Sequence, residues 1–366
     1  MDFIYNLNSL IVVILYIVLS LCVVYSSKKI SDCVDNIDKL TSIGGALIGG
    51  VFLAAVTSLP ELITSISSSV IGEPGLVFGN ILGSNLFNML ILAVVDILFI
   101  NHMFMNKIRT LRKTNLFTII MYVVILVPLA LYQFFDLNVF KYLNIHLFNF
   151  INMSVISLAI LVIYGFSIKA LATDQVMDSE EKEEEISDNT NNSSDNKSKV
   201  KKEILKFIGF SVLLVIFSVL LTMTVDSLSI KFNLGKSVAG ALFLGAATSL
   251  PEMTAVIQLV RLKNYDAACG NVIGSNVFNF TILSVVDIIY GKEDIFLGRL
   301  PVEKGNPLYA ESVNVRFLAI FGIIATSIAM YMILRKKSKN KFTYIIPSII
   351  IVLVYAAYLL TSFLIK

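Results

Sequence analysis

The sequence predicts an all-α polytopic membrane protein: ten transmembrane helices forming two inverted five-helix repeats, with both termini outside. Three observations carry this expectation. The 366 residues are 56 % apolar and only 15 % charged, with a mean hydropathy of +0.82, a composition that excludes a soluble enzyme. Apolar runs of about 20 residues, enough to cross a hydrocarbon core of about 30 Å, can be drawn ten times. One polar-studded stretch, Gly49 to Asn88, returns at Gly240 to Asn279 without a gap, since 252 − 61 and 279 − 88 both give 191.

The runs fall at about 4–25, 43–70, 76–99, 116–132 and 150–172, then 204–224, 237–260, 267–289, 315–334 and 344–364. The fifth has the least defined start, because Asn144, His146, Asn149 and Asn152 suit an interface or a short interfacial helix. Alternate loops are basic (Lys28, Lys29, Lys39; Lys107, Arg109, Arg112, Lys113; Lys197 to Lys202; Arg261, Lys263; Arg335 to Lys341), which marks them as cytoplasmic. Five helices per copy then turn the second copy upside down in the bilayer. The first helix is too long for a cleavable signal, follows Asp2 and precedes its lysines, so it is expected to stay in the mature chain.

The copies, 1–172 and 204–366, are joined by an acidic and polar segment, 173–203, that reads as a cytoplasmic linker. A calcium loop starting at Asp188 would need Gly and Glu where Ser193 and Lys199 stand. Cys22, Cys33 and Cys269 lack metal or redox spacing and read as isolated thiols.

Within each copy two polar islands interrupt the apolar background: TSLPE with GSNLFN, then TSLPE with GSNVFN. Glu61 and Glu252 are carboxylates inside spanning runs, where an ionised group costs several kcal/mol unless paired, hydrated or holding a cation. Asn88, Asn279 and both glutamates fall at depths that let them meet near the midplane. Thr57 and Ser58 lie four and three residues before Glu61, and Ser84 lies four before Asn88, so each set shares a helical face. Thr248, Ser249 and Ser275 repeat the pattern. Pro60 and Pro251 remove a backbone donor inside each helix and should free the carbonyls of Val56 and Ala247. Broken helices at matching places in two halves point to a substrate site. Gly49, Gly50, Gly79, Gly83, Gly240, Gly245, Gly270 and Gly274 are expected to let helices pack closely. The donors are all hard oxygen, which suits Ca²⁺ or Na⁺ rather than a transition metal.

Both islands, in register, resemble the α-repeats of the calcium/cation antiporter superfamily, and the ten-helix layout looks most like its prokaryotic sodium/calcium exchangers. The resemblance implies that Glu61 and Glu252 are the central carboxylates shared by the two ions, with Asn88 and Asn279 as remaining central ligands. Thr57, Thr248, Ser58, Ser249, Ser84 and Ser275 would line sites along the path, and the carbonyls of Ala54 and Gly245 would complete the set. Some members carry Asp at the position of Asn279, including potassium-dependent ones; Asn leaves one protonatable group fewer. The expected activity is antiport of Na⁺ against Ca²⁺ in a prokaryotic plasma membrane. No cofactor and no nucleic-acid partner are expected, and a monomer in the lipid bilayer would suffice.

Two rivals use the same carboxylates, and a third uses another matched acid pair. Ca²⁺/H⁺ exchange needs only that the carboxylates bind protons when no cation is present. A channel could also use them, though inverted broken helices suit alternating access. Asp96 and Asp287, again 191 apart, invite an intramembrane aspartyl protease, but inversion sends them to opposite faces, so they read as interfacial capping or gating residues. Asn85 and Asn276, one step round from the proposed ligands, read as helix-to-helix bonds.

Overall fold

The computed structural model describes residues 3–41, 43–70, 74–108, 110–135, 144–147, 151–183, 193–232, 247–290, 309–335, 337–338 and 340–364. The helices are α1 (Ser9–Leu40), α2 (Gly45–Thr57), α3 (Leu59–Val70), α4 (Pro74–Leu98), α5 (Arg112–Phe135) and α6 (Val155–Glu183) in the first part of the chain. In the second part they are α7 (Ser193–Lys231), α8 (Leu250–Arg261), α9 (Tyr265–Tyr290), α10 (Tyr309–Leu334) and α11 (Lys341–Leu364). Among the described residues seven helices are long and apolar enough to cross a membrane, or eight if α2 and α3 count as one bent span.

Two features depart from the expectation. Residues 144–147 and 151–154 pair as an antiparallel hairpin, with Asn144 opposite Ser154 and His146 opposite Asn152. Their alternation of polar and apolar side chains has the period of a strand, which an interfacial helix would not satisfy; Asn149 lies outside the described residues. The segment read as a linker is also helical at both ends, because α6 continues to Glu183 and α7 begins at Ser193.

The proline-bearing helix breaks where expected. Ser58 has φ −92° and ψ 3°, and α3 leaves α2 at 41°. Ser249, its counterpart, has nearly the same torsions, φ −91° and ψ 9°; both lie in the sparsely allowed bridge region. Pro60 has no N–H to offer the Val56 carbonyl, and the Ser58 N–H at the break is bonded to the Ala54 carbonyl at 3.0 Å. Ahead of it, Ile48–Leu53 is wound as a π-helix, a local form common at functional sites.

Contacts across helices give their directions. Gly45 meets Asn264 and Ala267, Gly49 meets Ala267, Gly50 meets Gly270, and Thr57 bonds Asn271 and Ser275, so α9 runs alongside α2 in the same sense. Asn80 bonds Ser65 at 3.0 Å and Ser84 bonds Glu61 at 3.5 Å, so α4 runs against α3. At the periphery, Asn36 meets Glu203 and Tyr5 meets Asp226, which makes α1 and α7 antiparallel. The close approach of α2 and α9 needs glycine: a Cβ on Gly270 would lie 2.9 Å from the Ala46 carbonyl, and one on Gly274 would overlap that of Gly50. Gly79 and Gly83 meet nothing within 4 Å among the described residues; Gly240 and Gly245 lie outside them.

Candidate cation site

The α2/α3 break, the α8 N-terminus and the middles of α4 and α9 converge on one buried polar centre. Glu61 and Glu252 are each 1 % exposed, and the Glu61 carboxylate acts as a like charge on Glu252. Glu61 Oε1 accepts from Ser84 Oγ at 3.5 Å, and Thr57 bonds Glu252. The second oxygen of each carboxylate has no hydrogen-bond partner among the described residues.

Four asparagines cross-link α4 and α9 with two-fold symmetry. Asn85 Nδ2 donates to the Asn276 backbone carbonyl at 3.2 Å, and Asn276 Nδ2 donates back to that of Asn85 at 3.1 Å. Their side-chain oxygens accept from Asn88 Nδ2 at 3.0 Å and Asn279 Nδ2 at 2.9 Å. Asn85 and Asn276 thus bond helix to helix, as read from the sequence. They also orient their neighbours, because committing the Nδ2 groups of Asn88 and Asn279 leaves both Oδ1 atoms unpartnered and buried. Ser58 and Ser249 likewise present buried Oγ atoms with no partner among the described residues.

Buried polar atoms are almost always satisfied, and each exception calls for a cause. Here six exceptions form three pairs at the repeat offset: Ser58 with Ser249, Glu61 with Glu252, Asn88 with Asn279. Chemically they are carboxylate, amide and hydroxyl oxygens, which suit a hard cation. Among the described residues no group of three His, Cys, Asp or Glu side chains could hold a metal. Thr57 and Thr248 are buried, as are Ser84 and Ser275. The Ala54 carbonyl accepts the Ser58 N–H at 3.0 Å and Thr57 Oγ1 at 3.3 Å. Gly245 lies outside the described residues.

Asp96 and Asp287 do not face one another. Asp96 accepts from Tyr344 Oη and, at 2.5 Å, from Ser348 Oγ. Asp287 accepts from Ser157 Oγ at 2.6 Å and from the Ser154 N–H at 2.9 Å, which caps α6. Ser157 and Ser348 are themselves 191 apart, so each carboxylate ties its helix to the matching helix of the other copy. Ser157, Ser348, Asn80 and Asn271 lie outside the two islands and carry no motif of their own; the constant offset, extended beyond the islands, finds all four.

A bilayer-spanning helical protein with a buried, oxygen-lined centre repeated in two halves belongs to the class of secondary ion transporters. The chain is a member of the sodium/calcium exchanger protein family, whose sequence model matches residues 11–171 and 202–364. It is therefore a cation exchanger and a multi-pass cell-membrane protein, not an enzyme. It is similar to the Inner membrane protein YrbG of Escherichia coli (strain K12), 25 % identical over 272 residues, 74 % of this chain and 77 % of that protein. It is also similar to the Uncharacterized membrane protein MJ0091 of Methanocaldococcus jannaschii, 26 % identical over 245 residues, 66 % of this chain and 70 % of that one. Among solved structures it shares the fold of the sodium-calcium exchanger NCX_Mj soaked with 10 mM Na⁺ and zero Ca²⁺, with a TM-score of 0.63 at 16 % identity, over 95 % of this chain and 99 % of that one.

Proposed function

We propose that this protein exchanges Na⁺ for Ca²⁺ by alternating access, at a midplane site built from Glu61 and Glu252 with Asn88 and Asn279 as the remaining central ligands. Thr57, Thr248, Ser58, Ser249, Ser84 and Ser275 line the approach, and the carbonyls of Ala54 and Gly245 complete it. The observation that carries this reading is the three symmetric pairs of buried oxygens without partners. Two carboxylates are neutralised by one Ca²⁺ or by two Na⁺, so the ions compete for one place, and the coupling is electrogenic when more than two Na⁺ exchange for each Ca²⁺. An empty site keeps uncompensated charge that resists passage through hydrocarbon, which suppresses leak.

The architecture we infer is ten helices in two inverted copies, 1–172 and 204–366, joined at 173–203, with both termini outside. Two directions support inversion: α1 and α7, matched in sequence, are antiparallel, while α9 follows α2 and its counterpart α4 opposes α3. Inversion also lets corresponding helix breaks meet at one depth.

The test uses vesicles loaded with Na⁺ and diluted into Ca²⁺. Uptake driven by the sodium gradient, lost in Glu252→Gln while the protein remains inserted, is the expected outcome. Uptake driven equally by a proton gradient alone would replace the proposal with Ca²⁺/H⁺ exchange.

A further inference from the structure

The loop between α10 and α11 carries charge that the cation site does not use. Residues 335–341 read RKKSKNK, five cations and no acid, whereas the matching stretch of the first copy, Asn144 to Phe150, has no Lys or Arg. Lys337 and Lys341 are exposed, Arg335 is half-buried, and none of the three forms an ion pair among the described residues. Local bonds hold this loop in shape. Asn106 Nδ2 donates to the Ser338 carbonyl at 3.0 Å, Lys341 Nζ donates to Asn101 Oδ1 at 2.6 Å, and Asn340 Oδ1 accepts the Phe342 N–H at 2.9 Å where α11 begins.

Pro347, inside α11, fixes Arg335. Having no N–H, it leaves the Thr343 carbonyl, four residues back, without a helical partner. Arg335 Nη1 donates to that carbonyl at 3.3 Å and Nη2 to the Tyr344 carbonyl at 2.8 Å, with the guanidinium 4.9 Å from the Tyr344 ring centre. Further N–H donors of the guanidinium stay uncommitted. The first copy has Asn144 and Ile156 at the positions of Arg335 and Pro347, so this arrangement belongs to the second copy alone.

Thr343 also lines a groove of about 690 Å³ between α10 and α11, walled by Ile323, Ile328, Tyr331, Ile346, Pro347 and Ile350. Arg335 therefore stands at its loop end. The groove follows the two helices for about 10–12 Å, from Tyr331 to Ile323 and from Thr343 to Ile350. It opens outward, because Tyr331, Ile346 and Ile350 are 60 %, 38 % and 41 % exposed.

We propose that groove and loop together bind an anionic phospholipid, with an acyl chain between α10 and α11 and its phosphate among Arg335, Lys337 and Lys341. Basic pockets between spanning helices recognise such headgroups, and the planar fork of arginine suits phosphate. Tyr331 sets an apolar ring with a polar tip at the headgroup level. A neutral lipid would leave the cations uncompensated. A second copy packed here about a two-fold axis would bring its own five beside them. The site is independent of which ions are exchanged.

The experiment follows thermal unfolding of the purified full-length protein in detergent during titration with dioleoylphosphatidylglycerol or dioleoylphosphatidylcholine. The first should raise the midpoint saturably and the second should not. Lys337→Gln should raise the half-saturating phosphatidylglycerol fraction roughly fivefold, and Lys337→Gln with Lys341→Gln further; the single variant carries the test if the bond to Asn101 proves necessary for folding. Ile350→Trp, which fills the groove, should weaken the same response, and glycerol phosphate without a chain should not reproduce it. Lys201→Gln with Lys202→Gln on α7 removes equal charge elsewhere and should leave half-saturation in place. Equal stabilisation by both lipids, an unchanged response in Lys337→Gln or Ile350→Trp, an equal loss in the α7 control, or full stabilisation by glycerol phosphate would overturn the assignment.

Discussion

The motif-bearing helices and the outer pair are made of similar apolar residues but live in different solvents. In α4 and α9, 67 % and 78 % of the most apolar window is buried inside the protein; in α1 and α7 the figures are 22 % and 17 %. Lipid is as apolar as leucine, so the outer helices gain little from burying such side chains against protein. The inner helices therefore concentrate what lipid cannot supply: glycine contacts, amide cross-links and buried carboxylates. Equivalent substitutions should have unequal consequences in the two regions.

Removing a carboxylate tests this most strongly. Glu61→Gln or Glu252→Gln should abolish calcium exchange in vesicles, whereas Glu203→Gln on α7, which weakens the 2.6 Å contact with the exposed Lys206 and the 3.3 Å bond from Asn36, should leave transport intact and cost under about 1 kcal/mol. Glycine gives a second matched pair. Gly274→Ala places a methyl on the Gly50 carbonyl and should destabilise by about 1–3 kcal/mol with loss of exchange. Gly209→Ala on α7 meets nothing within 4 Å among the described residues and should stabilise by about 0.5–1 kcal/mol; thermal unfolding in detergent reads both. Asp287→Asn weakens the bonds to Ser157 and the Ser154 N–H and should cost about 1.5 kcal/mol. Exchange by that variant should survive, because the carboxylate holds helices together through Ser154 and Ser157 and is not among the proposed ligands; an altered ion requirement would return Asp287 to a gating role.

Much of the site was legible before any fold was known. Glu61 and Glu252 stand out because a carboxylate inside a spanning run is energetically anomalous, and the repeat offset makes each anomaly confirm the other. Pro60 and Pro251 announced the breaks, because neither can donate the backbone bond that a continuous helix needs. The strand pair 144–147 and 151–154 was hidden, since its two strands are too short for a hydropathy window to distinguish from a short interfacial helix. Pro347, one proline in an apolar run, carried no signal until Arg335 was seen on the Thr343 carbonyl that it leaves without a helical partner.

Hydropathy, period and repetition belong to single segments, and they suffice to name the spanning runs, the two copies and the polar islands. Which amide donates to which carbonyl depends on where two helices cross, and no local pattern encodes a crossing point. Hence the chain's own text shows that Asn85, Asn88, Asn276 and Asn279 matter, but only their meeting across α4 and α9 makes two of them fasteners and leaves the other two with oxygens bare.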